Sequence, residues 1–332
     1  MKTIVKIEIA ILIVLVLVAA GMILVSEGAL NLLYEPVVME RTPEPIPTEP
    51  PEETAEPVET QPVQEETQPE EESRVITATR YFAYDLRQEE YLQKLGDADA
   101  KLYPASITKL LSALVVLKYL DPQETVTAGD AMQLVAWDSS VAGLVEGDTL
   151  TVEPLISAMM LPSGNDAAQV AAVATGRAIA GNPELDYLDA RDLFVKEMNA
   201  MAGELGMENS HFVTPDGYHD ENHYTTMGDL VILCKAALEN QTILEYTSKA
   251  TDSVLMTDRT LEWHNTNMLL HEDRGTYVPA TIGLKTGYTD PAGGCLVSAF
   301  FQTDRIVLIG VFGCPGYTMD RYLDTVAIYN SL

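Results

Sequence analysis

Cysteine is nearly absent: Cys234, Cys295 and Cys314 are the three in a chain of 332 residues. No two are spaced as CxxC, so neither a disulfide framework nor a cysteine-ligated zinc site is expected. Buried core thiols are the reading adopted, while export would also permit a Cys295–Cys314 bridge between neighbouring strands. Positive charge is the second shortage. Twenty Lys and Arg stand against fifty Asp and Glu, a formal net charge of −30. No basic stripe exists, which removes the electrostatic basis for nucleic-acid binding. Anionic lipid headgroups would also repel such a surface, so any membrane link must come from hydrophobic insertion. Histidine is scarce too, at five residues. His219 and His223 lie four apart but form no HExxH or similar zinc-peptidase signature, and both read as loop residues. No metal and no cofactor are expected.

What the chain does have begins at its N-terminus. Residues 9–25, "IAILIVLVLVAAGMILV", are seventeen uncharged and almost wholly apolar residues. As a helix they span about 26 Å at about 1.5 Å per residue, near the roughly 30 Å hydrocarbon core once the flanks are added. Lys2 and Lys6 precede the run and acids dominate after it, which keeps the N-terminus in the cytoplasm and exports the remainder. Residues 1–33 are thus expected to be a single-pass membrane anchor. The rival is a cleaved signal peptide with Val18-Ala19-Ala20 as the small-residue cleavage site, which would leave a secreted protein. Hydrophobicity that continues through Met22-Ile23-Leu24-Val25 argues for retention.

Residues 34–75 are read as a linker. Its central part, 40–74, holds twelve Glu against two Arg, eight of the eighteen prolines and no aromatic residue. Such a segment cannot bury enough apolar surface to offset its ordering entropy. It is expected to be an extended, self-repelling spacer.

Residues 76–332 carry no obvious linker and form the expected catalytic domain. "RYFAYDLRQEEYLQKL" alternates and turns near Arg87-Gln88, which predicts a β-hairpin. Residues 125–205 read as mostly helical, through "AGDAMQLVAW", "VEPLISAMML", "NDAAQVAAVATGRAIA" and "LDARDLFVKEMNAMAGEL". "TTMGDLVILCKAALEN" is another helix. Three β-rich runs follow, "ATIGLKTGYT", "GCLVSAFFQT" and "RIVLIGVFGC", and the chain closes on a helix in "YTMDRYLDTVAIYNSL". Strands at both ends around a helical middle predict an α+β fold, with the end strands joined in one antiparallel sheet because short connections allow hairpins and not crossovers.

Three short motifs lie within this domain. "SITK" places Ser106 and Lys109 three apart at the start of an apolar helix. Alone, Ser106 reads as a helix N-cap and Lys109 as a surface charge. "PSGN" places Ser163 and Asn165 between two helices. "LKTGYT" places Lys285, Thr286, Gly287, Tyr288 and Thr289 in a strand. Each has a bland explanation singly; the order SxxK, SxN, KTG is far rarer and is that of the β-lactamases and penicillin-binding proteins. The sequence here resembles the serine-type D-alanyl-D-alanine carboxypeptidases, the low-molecular-mass penicillin-binding proteins. The likeness extends to "SSVAGLVEGDTLTVEPLISAMMLPSGNDAA", to "FVTPDGYHDENHYTTMGDL", which has Tyr218 where the family usually has Leu, and to "LKTGYTDPAGGCLVSA". Many members continue into a β-rich C-terminal domain and an amphipathic anchoring helix, whereas this sequence stops at Leu332; the N-terminal segment is then the expected membrane attachment.

The resemblance implies a β-lactamase/transpeptidase-like fold, an antiparallel sheet flanked by helices plus a helical subdomain. It also implies a serine D,D-peptidase that removes the terminal D-Ala of a peptidoglycan stem peptide through an acyl-enzyme and is acylated by β-lactams. A serine hydroxyl needs an adjacent base, and Ser106 and Lys109 lie one helical turn apart. A lysine of pKa about 10.4 is neutral at pH 7 only about once in 2,500 molecules, so burial and the second cation Lys285 are expected to lower it. Ser163 then returns a proton to the leaving amine, and Asn165 holds the substrate amide. The strand at 285–289 pairs with the peptide backbone. By resemblance, the N–H groups of Ser106 and Tyr288 form the oxyanion hole, while Lys285, Thr286, Thr289 and Arg321 receive the terminal carboxylate. A class A β-lactamase would need SDN in place of SGN and a downstream Glu-x-x-x-Asn, which does not occur between 163 and 225. A non-catalytic penicillin-binding sensor is the remaining alternative, disfavoured because no motif residue is degraded.

Overall fold

A computed structural model describes residues 74–332. The expected anchor and nearly all of the linker lie outside the described residues. Among the described residues, no helix is long and apolar enough to cross a membrane.

The expected first hairpin forms, β1 (Arg80–Asp85) and β2 (Glu90–Leu95), its turn held by Asp85, whose carboxylate accepts from the N–H groups of Arg87 and Gln88. The three late runs form β7 (Thr281–Thr289), β8 (Gly293–Gln302) and β9 (Arg305–Cys314). All five join one antiparallel sheet in the order β2-β1-β9-β8-β7, closed across the two ends of the domain by β1 pairing with β9. The central strands read as nearly continuous apolar runs because both of their faces are covered. Phe82, Val297, Ala299, Leu308 and Phe312 pack on the side of the helical region; Leu296, Phe300, Val307, Ile309 and Val311 pack on the other with Tyr322 and Ile328 of the C-terminal helix α7 (Asp320–Asn330).

The helical region contains α1 (Lys109–Tyr119), α2 (Val152–Met160), α3 (Asn165–Ala180), α4 (Tyr187–Leu205), α5 (Met227–Glu239) and α6 (Gln241–Thr247). Helix α1 is apolar nearly all round, with Leu110, Leu111, Ala113, Val115 and Val116 buried. That pattern belongs to a helix enclosed by others, and α2, α3, α4 and α5 pack against it. Two small two-stranded sheets, β3 (Thr125–Thr127) with β4 (Thr149–Thr151) and β5 (Thr251–Leu255) with β6 (Thr260–His264), complete the fold. The reading of 128–137 as helix is corrected: only Asp130–Leu134 coil, as a short 3-10 turn, and the chain then runs as a loop toward the SxN motif.

The three cysteines are free and buried. Cys295 packs in the core on the helical side of the sheet and Cys314 in the core on the other, so strand neighbourhood does not make them bridging partners. The segment entering β1 is fastened by Asp324 of α7. Its carboxylate accepts from the N–H groups of Thr77 and Ala78, from the Thr77 hydroxyl and from Arg74, at 2.8–2.9 Å.

Candidate active site

Ser106 lies in a 3-10 turn, Ala105–Thr108, that runs directly into α1. No side-chain cap hydrogen bond forms at the start of either element, so the N-cap reading of Ser106 is not what the structure adopts. Instead the Lys109 ammonium lies 2.9 Å from Ser106 Oγ. It also donates to Asn165 Oδ1 at 2.7 Å and to the backbone carbonyl of Asp216 at 2.9 Å. Lys109 is fully buried, and three acceptors fix its flexible stem.

Burial is what lowers the Lys109 pKa, to about 8, against the opposing pull of the Asp216 and Asp166 carboxylates. Lys285 is also fully buried and is pushed well below the ordinary lysine value, first by burial, then by the positive charges of Lys109 and Arg321. Burial is thus the leading cause at both lysines, and the two positive charges oppose each other's protonation. An ion moved out of water favours its neutral form, and for a lysine that is the form able to take a proton.

Ser163 lies in the short link between α2 and α3, and Asn165 opens α3. Ser163 adopts φ +62°, a left-handed conformation unusual for a side-chain-bearing residue. Its hydroxyl is buried and has no hydrogen-bond partner, and the residue lines the same cleft as Ser106. The link is held from outside: Ser140 Oγ donates to the Ser163 carbonyl, and the Asn165 N–H donates to the Ser140 carbonyl. Asp166, at the start of α3, accepts from the N–H groups of Ala142, Gly143 and Leu144 at 2.8–3.0 Å.

The opposite wall is β7, an edge strand of the sheet. At Gly287 it passes against the Ser106 turn, so that a Cβ there would lie 2.9 Å from the Pro104 carbonyl oxygen and 3.2 Å from the Ser106 nitrogen. Thr286 Oγ1 shares a 2.6 Å hydrogen bond with Thr266 Oγ1. Arg321 is 2% exposed, donates to the Gly287 carbonyl at 3.0 Å and sits over the Tyr317 ring. The cleft is about 530 Å³ and is lined by Ser106, Ser163, Asn165, Thr286, Gly287, Tyr288, Thr289 and Arg321 among others. Eight of the ten residues singled out in the sequence therefore line one cleft, and the two lysines lie buried behind it. Thr289 lines it with its hydroxyl turned to the Ala292 N–H at 3.3 Å.

The sequence reading missed several members. Asp216, within the quoted "TPDG" stretch, supplies a carbonyl to Lys109, and its carboxylate accepts from Gln169 and from the Tyr218 N–H. Asp138, Ser139 and Ser140 form one lip, with the Tyr218 hydroxyl donating to Asp138. Thr266 and Tyr317 complete the wall around β7. His223 lies in a loop as read from the sequence, and it is 2% exposed with both ring nitrogens engaged.

A serine paired with a buried lysine, set between an SxN link and the edge strand of a five-stranded antiparallel sheet, defines the serine-reactive class built on the β-lactamase/transpeptidase-like α+β fold. Comparison with known proteins narrows this class. The chain belongs to the D-alanyl-D-alanine carboxypeptidase family Peptidase S11, whose model matches residues 64–315. It is 31% identical over 222 residues to the D-alanyl-D-alanine carboxypeptidase DacF of Bacillus subtilis, covering 65% of this chain and 52% of that protein. It is 33% identical over 224 residues to a D-alanyl-D-alanine carboxypeptidase of Streptomyces, covering 64% of this chain and 72% of that one. The chain thus spans between about half and three-quarters of these relatives. The crystal structure of the Streptomyces K15 DD-transpeptidase superposes with a TM-score of 0.69 at 29% identity, over 78% of this chain and 97% of that one. Penicillin-binding protein D2 of Listeria monocytogenes, solved in an ampicillin-bound form, gives 0.61 at 28% identity, over 77% and 97%.

Proposed function

We propose that the protein is a serine D,D-carboxypeptidase that releases the terminal D-Ala from peptidoglycan stem peptides and is acylated by β-lactams. The observation that carries this reading is the 2.9 Å contact between Ser106 Oγ and a buried Lys109. With a pKa of about 8, roughly one Lys109 in eleven is neutral at pH 7, against about one free lysine in 2,500. Neutral Lys109 takes the Ser106 proton as Oγ attacks the carbonyl of the penultimate D-Ala. The N–H groups of Ser106 and Tyr288 stabilise the oxyanion. Collapse breaks the peptide bond, and the departing amine receives the proton from Lys109 through the Ser163 hydroxyl, which has no hydrogen-bond partner in the free site. Water then attacks the Ser106 ester, with Lys109 again accepting a proton. A β-lactam follows the first half, but its amine stays tethered to the acyl group.

The substrate peptide lies along β7 as an added strand, with its amide held by Asn165. Its carboxylate is received by Thr286, Thr289, Lys285 and Arg321. Residues 9–25 hold this domain at the outer face of the cell membrane through the 34–75 spacer, with catalysis at 76–332; Edman sequencing that finds Gly21 or a later residue as the mature N-terminus would replace the anchor with secretion. Among the described residues no glutamate lines the cleft, which supports the peptidase over a class A-like β-lactamase. Incubation with a pentapeptide ending in D-Ala-D-Ala, with and without an amine acceptor, tests the reaction by following free D-Ala. Mass spectrometry after penicillin treatment tests the nucleophile. Penicillin bound on Ser106 without D-Ala release would identify a sensor, and an adduct elsewhere would overturn the assignment.

A further inference from the structure

Ala105, immediately before Ser106, has φ +48°. A side-chain-bearing residue in the left-handed region is held there by its surroundings, and such residues cluster at functional sites. Two contacts hold it. Gly217 packs so close to the Ala105 carbonyl that a Cβ there would lie 1.9 Å from that oxygen. The Thr108 hydroxyl donates to the same oxygen at 2.8 Å. Thr108 is itself fully buried, and its Oγ1 lies 2.8 Å from His223 Nε2.

The neighbours of the ring point to one arrangement of protons along this chain, the Thr214 hydroxyl also lying 3.4 Å from His223 Nδ1. His223 Nδ1 accepts from the N–H groups of Val213 at 3.1 Å and Thr214 at 3.3 Å, so it carries no hydrogen. A neutral imidazole then bears its hydrogen on Nε2, which donates to Thr108 Oγ1, and the Thr108 hydroxyl hydrogen is left for the Ala105 carbonyl. The polar groups along the chain are buried, and each is paired with the next. The Phe212 ring meets the imidazole edge-on at 5.4 Å. Two residues after His223, Thr225 pairs with Leu102 through two backbone hydrogen bonds, tying the same segment to the approach of the Ser106 turn.

We infer that His223, acting through Thr108, is a positioning residue for the nucleophile: the His223–Thr108–Ala105 chain locks the backbone conformation that aims Ser106 Oγ at Lys109 and its N–H at the oxyanion site. The inference rests on the serine peptidase reading above. His223 touches neither Ser106 nor the cleft, and its role is geometric. Burial lowers its pKa to about 4 although Asp216 and Asp220 pull it upward, with His211 and His219 opposing them. The neutral tautomer that the chain requires is thus kept throughout the neutral range. A charged imidazole would turn an Nδ1–H against two N–H donors and break the arrangement.

The test is the second-order rate of acylation by a fluorescent penicillin, measured on purified full-length protein alongside its thermal unfolding. His223→Ala and Thr108→Val are each expected to slow acylation by roughly tenfold to a hundredfold, the scale of a small misplacement of a reacting group. Thr108→Ser keeps the hydroxyl and is expected to acylate at near the parental rate. The double variant is expected to be no slower than the worse single one, because the chain acts as one unit. Should His223→Ala fail to fold, the Thr108→Val and Thr108→Ser pair decides alone. Parental rates in folded Thr108→Val, equal losses in Thr108→Val and Thr108→Ser, or losses that multiply in the double variant would each overturn the inference. Failure of the parental protein to be acylated at all would instead overturn the peptidase reading.

Discussion

The sharpest consequence of the buried lysine is the shape of the rate–pH profile. If acylation needs neutral Lys109, its rate follows the unprotonated fraction of a group with pKa about 8. That fraction rises from roughly 1% at pH 6 to about 9% at pH 7, about 50% at pH 8 and about 99% at pH 10. Acylation should therefore accelerate about fiftyfold between pH 6 and 8 and only about twofold more by pH 10. A lysine left at its free value of about 10.4 would give a tenfold rise per unit up to about pH 10. His223, at about 4, stays neutral over this range and does not shape the curve. Stopped-flow acylation by a fluorescent penicillin whose carboxylate is ionised throughout measures it directly. Lys109→Arg keeps the charge but supplies no base near neutrality, and should lose roughly 10²–10⁴-fold, the usual worth of general-base help. A parental rate in Lys109→Arg, or a profile flat from pH 6, would refute the reasoning.

Lys109 also leaves a mark on stability. Its folded pKa lies below the unfolded value of 10.5, so between about pH 8 and 10.5 the unfolded chain binds the extra proton and stability rises with pH. The parental protein should gain up to about 3 kcal/mol over this window relative to Lys109→Met, read by urea unfolding at each pH. Gly287→Ala should slow acylation by roughly tenfold or more, because its Cβ would press on the Pro104 carbonyl at 2.9 Å and shift the turn that aims Ser106; an unchanged rate would show that the strand can yield. Arg321→Ala should raise KM for a D-Ala-D-Ala peptide by about tenfold to a hundredfold, the worth of a charged hydrogen bond. The same change should matter little for a substrate whose terminal carboxylate is amidated, and equal losses on both would place the carboxylate elsewhere.

The three motifs were legible because their chemistry imposes fixed local spacing: three residues place a serine and a lysine on one turn, and KTG needs a glycine where a strand passes the nucleophile. The β1–β2 hairpin and the three late strands were legible from alternation and turn residues, whereas the short pairs β3–β4 and β5–β6 were not. What was not legible depends on partners far away in the chain. The stretch 128–137 has apolar residues at helical spacing, yet beyond its short 3-10 turn it leads into a loop whose N–H groups at 142–144 are claimed by the Asp166 carboxylate. Within the stretch itself, Ala128 pairs through its backbone with Gly147 and Asp148, and Asp130 accepts from Arg177, long-range bonds that compete with local propensity. Asp216 acts on Lys109 through a backbone carbonyl, which any residue type could present. Asn165 was assigned to the substrate from its motif, while its bond to Lys109 needs α1 and α3 to be packed first. His223 was set aside because no partner stood near it in sequence; its hydroxyl partner, Thr108, lies 115 residues earlier.

The edge position of β7 has a consequence for how the protein coexists with its neighbours. An unpaired strand edge is an invitation to sheet-to-sheet association between molecules, and most proteins blunt such edges with charge, proline or a bulge. In the proposed reading the substrate pairs with the edge from Lys285 to Thr289, so this edge is left open and protected by enclosure. At Gly283 the strand runs against the Thr247 carbonyl at the end of α6, and farther along it faces the Ser106 turn and the SxN link across a cleft of about 530 Å³. A slot with walls on both sides admits one extended peptide and excludes the edge of another folded sheet. The walls around the cleft thus also screen the open edge of β7 from the sheet edge of another copy.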